Sequence, residues 1–415
     1  MTHTTTADPA DQRPRRAAIG ALYAAGFTTA FGAHSVAANL GGYTGGHGES
    51  LLALGVLLAL YDGAEVLLKP VFGAVADRIG PRPVLLGGLA AFALFSAAFA
   101  AAGNPALVGV ARLGQGAAAS AFSPAAGALV ARLNPQARRG RAFGGYGLYK
   151  NFGYAGGPLL GGVLITAGGL RLLFAVTAVL AAAVAGWAAV IVPAMSPQPG
   201  SRQTALGLAR RLADRGFIVP VTGLVGATAA LSAGVGFLPV RGAATGLGPV
   251  ATGAAVSLLA VTSAIAQPLA GRIRDLGRIS DASGMAAGLL LAAAGVACAA
   301  LLPGLDGLIP AALLAGFGVG TATPLGFAAL AATAPPGRMG QTMGAAEVGR
   351  ELGEAGGPLL VGAVATAAAV PAGLLALAAL LGAAGVSIKG TSPRSRPPRA
   401  DRAGTAAAQG DGASR

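Results

Sequence analysis

Three carboxylates and a guanidinium fall within two helical turns of this chain: Glu347, Arg350, Glu351 and Glu354. On a helix, Glu347, Glu351 and Glu354 share one stripe, and Arg350 lies three residues after Glu347 and four before Glu354. A second set, Asp62, Glu65 and Lys69, also recurs at spacings of three and four. Both sets interrupt long apolar stretches, where an ionisable side chain is costly unless it is paired or hydrated. Desolvation and mutual repulsion favour a proton on a carboxylate, and a nearby guanidinium opposes it. A site with both influences can hold or release a proton near neutral pH. Asp62, Glu65, Glu347, Glu351 and Glu354 are therefore candidate proton carriers. His34, Tyr61, Arg112, Lys150, Asn151 and Arg350 lie in similar stretches and are candidates for contact with a polar ligand or for tuning the acids. The competing reading is a purely structural set of internal salt bridges.

The elements that must position these groups are set by composition. Apolar residues make up 54% of the 415, and charged residues only 11%, against about 25% in a soluble domain. Runs of about 20 apolar residues span a bilayer as helices. Such runs are predicted at 17–40, 51–75, 84–102, 105–131, 145–166, 172–193, 217–240, 249–270, 283–302, 308–331, 341–366 and 370–388. The fold class expected is all-α, with twelve transmembrane helices. Gly and Ala are abundant, as close packing of bare helix surfaces in lipid requires.

Orientation follows from the basic residues. If the N-terminus is cytoplasmic, the inner segments collect Arg13, Arg15, Arg16, Arg78, Arg82, Arg132, Arg138, Arg139 and Arg141, and later Arg272, Arg274, Arg278 and Arg338. Only Arg171 and Arg241 fall in outer loops. The positive-inside rule then puts both termini in the cytoplasm of a plasma membrane. The same distribution explains the net charge of +14 without nucleic acid, which is not an expected partner. The start, Met1 to Gln12, lacks the apolar core of a signal peptide. The segment 390–415, rich in Pro, Arg, Gly and Ser, is expected to be a disordered tail. Cys298 is the single cysteine, and His3, His34 and His47 have no metal-ligand spacing, so no metal is expected. No phosphate-binding G-x-x-x-x-G-K-S/T loop and no Ser-His-Asp set is present, so neither ATP-driven chemistry nor an enzyme is expected. Ala, Gly and Arg dominate over three lysines, which points to a GC-rich bacterial source.

The chain also repeats itself. Ala155-Gly156-Gly157-Pro158-Leu159-Leu160 returns as Ala355-Gly356-Gly357-Pro358-Leu359-Leu360. Lys150 then aligns with Arg350. Lys69-Pro70-Val71-Phe72-Gly73 with Asp77 matches Gln267-Pro268-Leu269-Ala270-Gly271 with Asp275. The expected division is a cytoplasmic segment 1–16, a six-helix bundle 17–193, a linker 194–216, a second bundle 217–389 and the tail 390–415. Parallel halves of this kind put a ligand site between them near the bilayer midplane.

These residues resemble the major facilitator superfamily. Gly73-Ala74-Val75-Ala76-Asp77-Arg78-Ile79-Gly80-Pro81-Arg82 is similar to its G-x-x-x-D-R-x-G-R-R signature, with Pro81 in place of the first paired arginine. A degenerate copy runs from Gly271 to Arg278 and includes Asp275. Arg112-Leu113-Gly114-Gln115-Gly116 resembles the R-x-x-Q-G element of helix four. Gly153, Gly157, Pro158, Gly161 and Gly162 match the helix-five motif of the antiporter branches, especially the twelve-helix drug:proton antiporters.

The resemblance implies two pseudo-symmetric six-helix bundles and a secondary transporter that exports a small organic molecule by proton antiport. It implies no cofactor beyond the proton gradient, a small-molecule substrate and the lipid bilayer as partners, and a monomer. It further implies that Gly73, Asp77, Arg78, Gly80 and Arg82 form a gate, with the Asp77 carboxylate meeting the start of helix eleven near Met339 to Met343. Helices two and eleven would meet between the halves and bring their acids to one cavity wall. The glycines of helix five permit close packing, and Pro158 is expected to bend that helix. Uptake of a small metabolite, and a membrane sensor without transport, are the alternatives.

Overall fold

A computed structural model describes residues 9–46, 51–101, 105–197 and 214–390. The expected linker and tail fall largely, and the N-terminal segment partly, outside the described residues. The described chain is helical throughout. Four helices come first: α1 (Pro9–Gly46), α2 (Leu51–Ile79), α3 (Pro81–Ala101) and α4 (Pro105–Leu133). A single 3-10 turn, Gln136–Arg138, leads into a helical run Arg139–Ile191. That run leaves helical geometry only at Gly168 and Gly169. Gly169 has φ +69°, a left-handed conformation that side chains with a Cβ disfavour. The run is therefore two helices, α5 (139–167) and α6 (170–191). Pro158 stays inside the helical run of α5, and the break between α5 and α6 falls ten residues on, between the predicted spans ending at 166 and beginning at 172.

The second half contains α7 (Arg215–Ala243), α8 (Pro249–Asp275), α9 (Asp281–Leu301), α10 (Gly304–Thr333), α11 (Met339–Ala367) and α12 (Val370–Gly390). Local chemistry starts several of them. Asp214 accepts from the Gly216 N–H, Ser280 Oγ accepts from the Ser283 N–H, and Pro249 opens α8, where a missing N–H costs nothing. Several helices outrun the predicted spans: α1 begins at Pro9, and α10 covers Gly304–Thr333. Hydropathy marks the part inside lipid, and the helix continues into water while backbone hydrogen bonding favours it.

Packing repeats between the halves. In the first, α1 packs on α5, α2 on α4 and α3 on α4; in the second, α7 packs on α11, α8 on α10 and α9 on α10. Between halves, α2 lies against α11 and α5 against α8. Two large apolar cores fill the bundles, one around Leu85, Phe92, Phe122 and Leu129, the other around Leu259, Leu289, Leu325 and Leu377. Seven helical runs are apolar enough to cross a membrane by length and composition, and one of these holds both α5 and α6. The other four are α1, α2, α4 and α11. In α2 the apolar stretch 51–59 has side chains outside the described residues, and in α11 the shortfall comes from the charged groups described below. In α1 and α4 it comes from Gly and small polar residues that line the interior.

Helix approach depends on missing side chains. A Cβ on Gly288 would meet the Gly318 carbonyl at 2.6 Å, and a Cβ on Gly318 would meet the Gly288 carbonyl closer still. Backbone atoms cannot step aside as a flexible side chain can. Gly318→Ala should therefore force α9 and α10 apart and cost about 1–3 kcal/mol, the usual range for overpacking. Thermal unfolding in detergent checks this. An unchanged Tm would show that the two backbones do not touch.

Candidate functional site

The charged residues of α2 and α11 meet where those helices cross. Lys69 Nζ lies 2.7 Å from Glu351 Oε1 and 3.2 Å from Glu65 Oε2. Arg350 contacts three carboxylates: Glu351 at 2.6 Å, Glu354 at 3.0 Å and Glu347 at 3.1 Å. From α5, Lys150 Nζ donates to both oxygens of Glu347 at 3.1 and 3.0 Å. From α1, His34 Nε2 approaches Glu354 Oε1 at 3.3 Å. Four helices thus contribute to one network, and Glu65, Lys69, Lys150, Glu347 and Arg350 are all buried. Removing one member of such a buried pair leaves a charge without compensation, a loss of about 3–5 kcal/mol.

Asp62 sits apart. It is solvent-exposed, lines the same small cavity as Glu65 and Lys69, and makes no ion pair among the described residues. Arg112 is 1% exposed and also lacks a carboxylate partner among the described residues. Its guanidinium lies 4.3 Å from the Tyr61 ring centroid, a cation–π contact, and reaches Gln115 at 3.4 Å. Gln115 in turn donates to Ser96 Oγ at 2.9 Å.

Charge does not balance among these groups. Fully ionised, Asp62, Glu65, Glu347, Glu351 and Glu354 outnumber Lys69, Arg112, Lys150 and Arg350 by one. His34 adds a titratable group beside one of these acids, Glu354. His34 Nδ1 is 3.2 Å from the Ala30 carbonyl oxygen, which can only accept, so Nδ1 carries hydrogen. Nε2 faces a carboxylate oxygen. An ionised carboxylate also only accepts, so the contact is favourable with one proton on either Nε2 or Glu354.

This pair lies on the wall of a cavity of about 390 Å³. His34 of α1, Asn151 and Tyr154 of α5, Ser232 of α7, Ser257 of α8 and Glu354 of α11 line it, so it lies between the bundles. Leu231, Val235, Val256, Ala155 and Pro158 make most of the remaining wall apolar. His34, Tyr154, Arg350 and Glu354 also border the smaller charged cavity beside Asp62, Glu65 and Lys69. Tyr154 was not singled out in the sequence. Its ring meets His34 edge-on at 4.1 Å, and the Arg350 guanidinium lies 5.4 Å from its centroid. Its position four residues after Lys150, aligned with Glu354 in the repeat, is the signal that would have found it. Asn151 turns to α8 and donates to Ser263 Oγ at 3.2 Å.

The gate-motif residues separate into different tasks. Asp77 accepts from the Gly340 N–H at 2.7 Å and the Gln341 N–H at 2.9 Å, at the first turn of α11. Asp275 accepts from the Gly140 and Arg141 N–H groups at 3.0 and 2.8 Å, at the first turn of α5. Each carboxylate satisfies two backbone donors that a helix start leaves free, and it meets the positive end of the helix dipole. Gly73 and Gly340 touch backbone to backbone beside the first contact, and Gly271 and Gly140 beside the second. Gly80 turns the chain at φ +96°. Arg82 donates to the Ala189 carbonyl at 2.6 Å, and Arg78 is exposed. In the helix-five motif, Gly153 and Gly157 pack on α1 near Ala30 and His34, Gly161 is buried, and Gly162 is half-buried. Pro158 faces the cavity.

Twelve helices in two related bundles around a central cavity define a membrane-transporter fold. The sequence profile of the Major Facilitator Superfamily matches residues 22–277 and 221–410, and the chain belongs to that superfamily. The family is one of membrane transporters, not of enzymes. Similar proteins include a Multidrug resistance protein B homolog of Mycobacterium tuberculosis, 34% identical over 37% of this chain and 28% of the relative. Multidrug resistance protein MdtH of Cronobacter sakazakii is 30% identical over 43% of this chain and 44% of its own. A class C tetracycline resistance protein of Escherichia coli is 35% identical over 28% of this chain and 30% of its own. The chain thus aligns with less than half the length of each. The solved human organic anion transporter MFSD10 (TETRAN) superposes with a TM-score of 0.76 at 21% identity, over 91% of this chain and 100% of that one. FucP, the Escherichia coli fucose:proton symporter, gives 0.77 in its outward conformation at 16% identity, over 92% and 100%. At these identities the likeness is one of fold.

The Asp77 contact carries an expected outcome. Asp77→Asn keeps the shape and removes the charge that faces the helix dipole. A loss of about 0.3–2 kcal/mol would shift the closed-to-open ratio at this end by roughly 2- to 30-fold. Spin labels at Ile79→Cys and Pro336→Cys, in a Cys298→Ala background, report the separation of α2 and α11. An unaltered distance distribution would show that the carboxylate does not hold this end closed.

Proposed function

We propose that this chain is a secondary active transporter that exports a small organic molecule in exchange for protons by alternating access. The observation that supports this reading is the cluster of buried carboxylates and cations at the α2–α11 crossing, with the His34–Glu354 contact on the cavity wall as the place assigned to the exchangeable proton. A proton bound there makes the network neutral, and its loss leaves one uncompensated charge in a low-dielectric interior. That difference is large enough to bias two packings of the bundles.

The roles follow from position. Glu354 and His34 hold the exchangeable proton, and exposed Asp62 relays it. Glu65, Glu347 and Glu351 fix Lys69, Lys150 and Arg350 in the network. Asn151, Tyr61 and Arg112 shape the surroundings rather than carry charge across. The positive-inside rule makes the arginine-rich end cytoplasmic, with both termini there. Asp77 and Asp275 hold that end together, and the cavity extends away from it along α5, α7 and α8. This is the outward-facing state, in which an external proton reaches Glu354.

The bundles 17–193 and 217–389 rock about this cavity, with 194–216 joining them. One chain supplies both bundles and every cavity wall described, so a monomer suffices. The helix-five motif and the drug-resistance names of the relatives support export. The mostly apolar wall suits an amphipathic substrate with one polar or charged end.

Reconstituted protein tests the assignment. A compound that raises Tm in a ligand screen at two pH values serves as substrate. Glu354→Gln and His34→Gln should lose accumulation driven by a proton gradient, yet keep exchange of labelled for unlabelled compound without one. Full gradient-driven accumulation in Glu354→Gln would refute the proton site.

A further inference from the structure

Most buried or half-buried arginines at the arginine-rich end are tied to the protein. Arg82 and Arg132 donate to carbonyls at Ala189 and Ser196, Arg139 to Ala131 and Ala331, and Arg274 to Asp281 and Gln136. Arg16, Arg138 and Arg141 differ. Their guanidinium groups make no hydrogen bond or ion pair to any described residue, yet all three line one cavity of about 350 Å³. Arg16 comes from α1, Arg138 from the turn after α4, and Arg141 from the first turn of α5. All three are exposed. No carboxylate lines the cavity among the described residues.

The remaining wall is fixed in place. Tyr23 Oη donates to the Ala142 carbonyl at 2.9 Å, and Asn134 Nδ2 donates to the Val130 carbonyl at 2.8 Å. Ile19 adds an apolar edge. Three guanidinium groups of like charge that converge on one hollow repel one another unless an anion joins them. Guanidinium geometry suits phosphate oxygens, with two parallel N–H bonds from each group.

We propose that Arg16, Arg138 and Arg141 form a binding site for a phosphate-bearing anion, the headgroup of an anionic phospholipid. The location selects lipid over a soluble phosphate ester. Arg16 and Arg141 lie just outside the apolar spans beginning at 17 and 145, at the depth of the headgroups, and Ile19 offers a surface for the first acyl carbons. Basic hollows between helices at this depth are suited to anionic headgroups. The site also adjoins a conformational contact. The Arg141 backbone N–H is one of two donors that hold Asp275, so a headgroup on the Arg141 side chain steadies the closed α5–α8 end.

Native mass spectrometry of the purified protein with phosphatidylglycerol or phosphatidylcholine tests this. The expected result is selective retention of phosphatidylglycerol, weakened on the order of 100-fold in the triple variant Arg16→Gln, Arg138→Gln, Arg141→Gln, at about a tenfold effect or less per arginine. A control triple variant, Arg215→Gln, Arg272→Gln, Arg278→Gln, removes the same charge from the other bundle and should retain the lipid. Equal retention of both lipids, equal loss in both triple variants, or no loss in the first would overturn the site. Glycerol 3-phosphate binding alone as tightly as the lipid would overturn the lipid assignment in favour of a soluble phosphate ester. A Tm equal to that of the parent protein excludes misfolding as the cause of any loss.

Discussion

Charge held away from water must be compensated where it lies, and at the α2–α11 crossing the fixed charges fall short by one. Lys69 and Arg350 each bridge more than one carboxylate, and Glu351 is shared between them. Sharing satisfies hydrogen bonds, but it does not create the missing positive charge. A proton does, and the geometry admits it between His34 and Glu354, where one wall is open to the cavity. The rest of the interior serves this arrangement. Gly344 gives up its side chain so that α11 can pass against the backbone of Lys69, and Gly157 does the same beside His34. Small residues bring the helices close enough for the ionic contacts, and the ionic contacts fix the register at which they meet.

The repeat makes a natural comparison inside one molecule. Lys69 and Glu65 correspond to Gln267 and Ser263, and Glu347, Glu351 and Glu354 correspond to Gly147, Asn151 and Tyr154. The α5–α8 crossing thus lacks the carboxylates of the charged one. Asn151 and Ser263 meet there by a single hydrogen bond where the other crossing has ion pairs. The backbone approach is retained on both sides, since Gly144 packs on Gln267 as Gly344 packs on Lys69. Close packing therefore does not require the charges. They are an addition to a crossing that works without them, which argues for a task beyond holding helices together.

The repeat and the signature around Asp77 made the fold legible, because glycine and proline positions specify helix approach and chain turns independently of distant context. The α5–α6 break lay between the predicted spans ending at 166 and starting at 172, and Gly168-Gly169 explains it. Grouping Glu347, Glu351 and Glu354 on one stripe needed only helical periodicity. Their partners were harder. Nothing in the spacing of residue 34 announces residue 354, since that contact depends on how α1 settles against α5 and α11 together. Tyr154 was hidden by its place inside a glycine motif, where packing accounts for its neighbours but not for a ring between His34 and Arg350.

Two equal contacts and two unequal crossings together give the molecule its polarity. Asp77 and Asp275 close the arginine-rich end with matching geometry, each on two N–H groups of a helix start, so neither half is favoured there. Deeper in, only the α2–α11 side carries carboxylates that can take or release a proton. Under the proposed exchange, a change of charge confined to this crossing would act on one of two nearly symmetric contacts, through α2 and α11 themselves. Lys69 is two turns from Asp77 on α2, and Gly340 and Glu347 are two turns apart on α11. The same two helices therefore carry both the titratable groups and the Asp77 contact, and no longer path is needed to connect them.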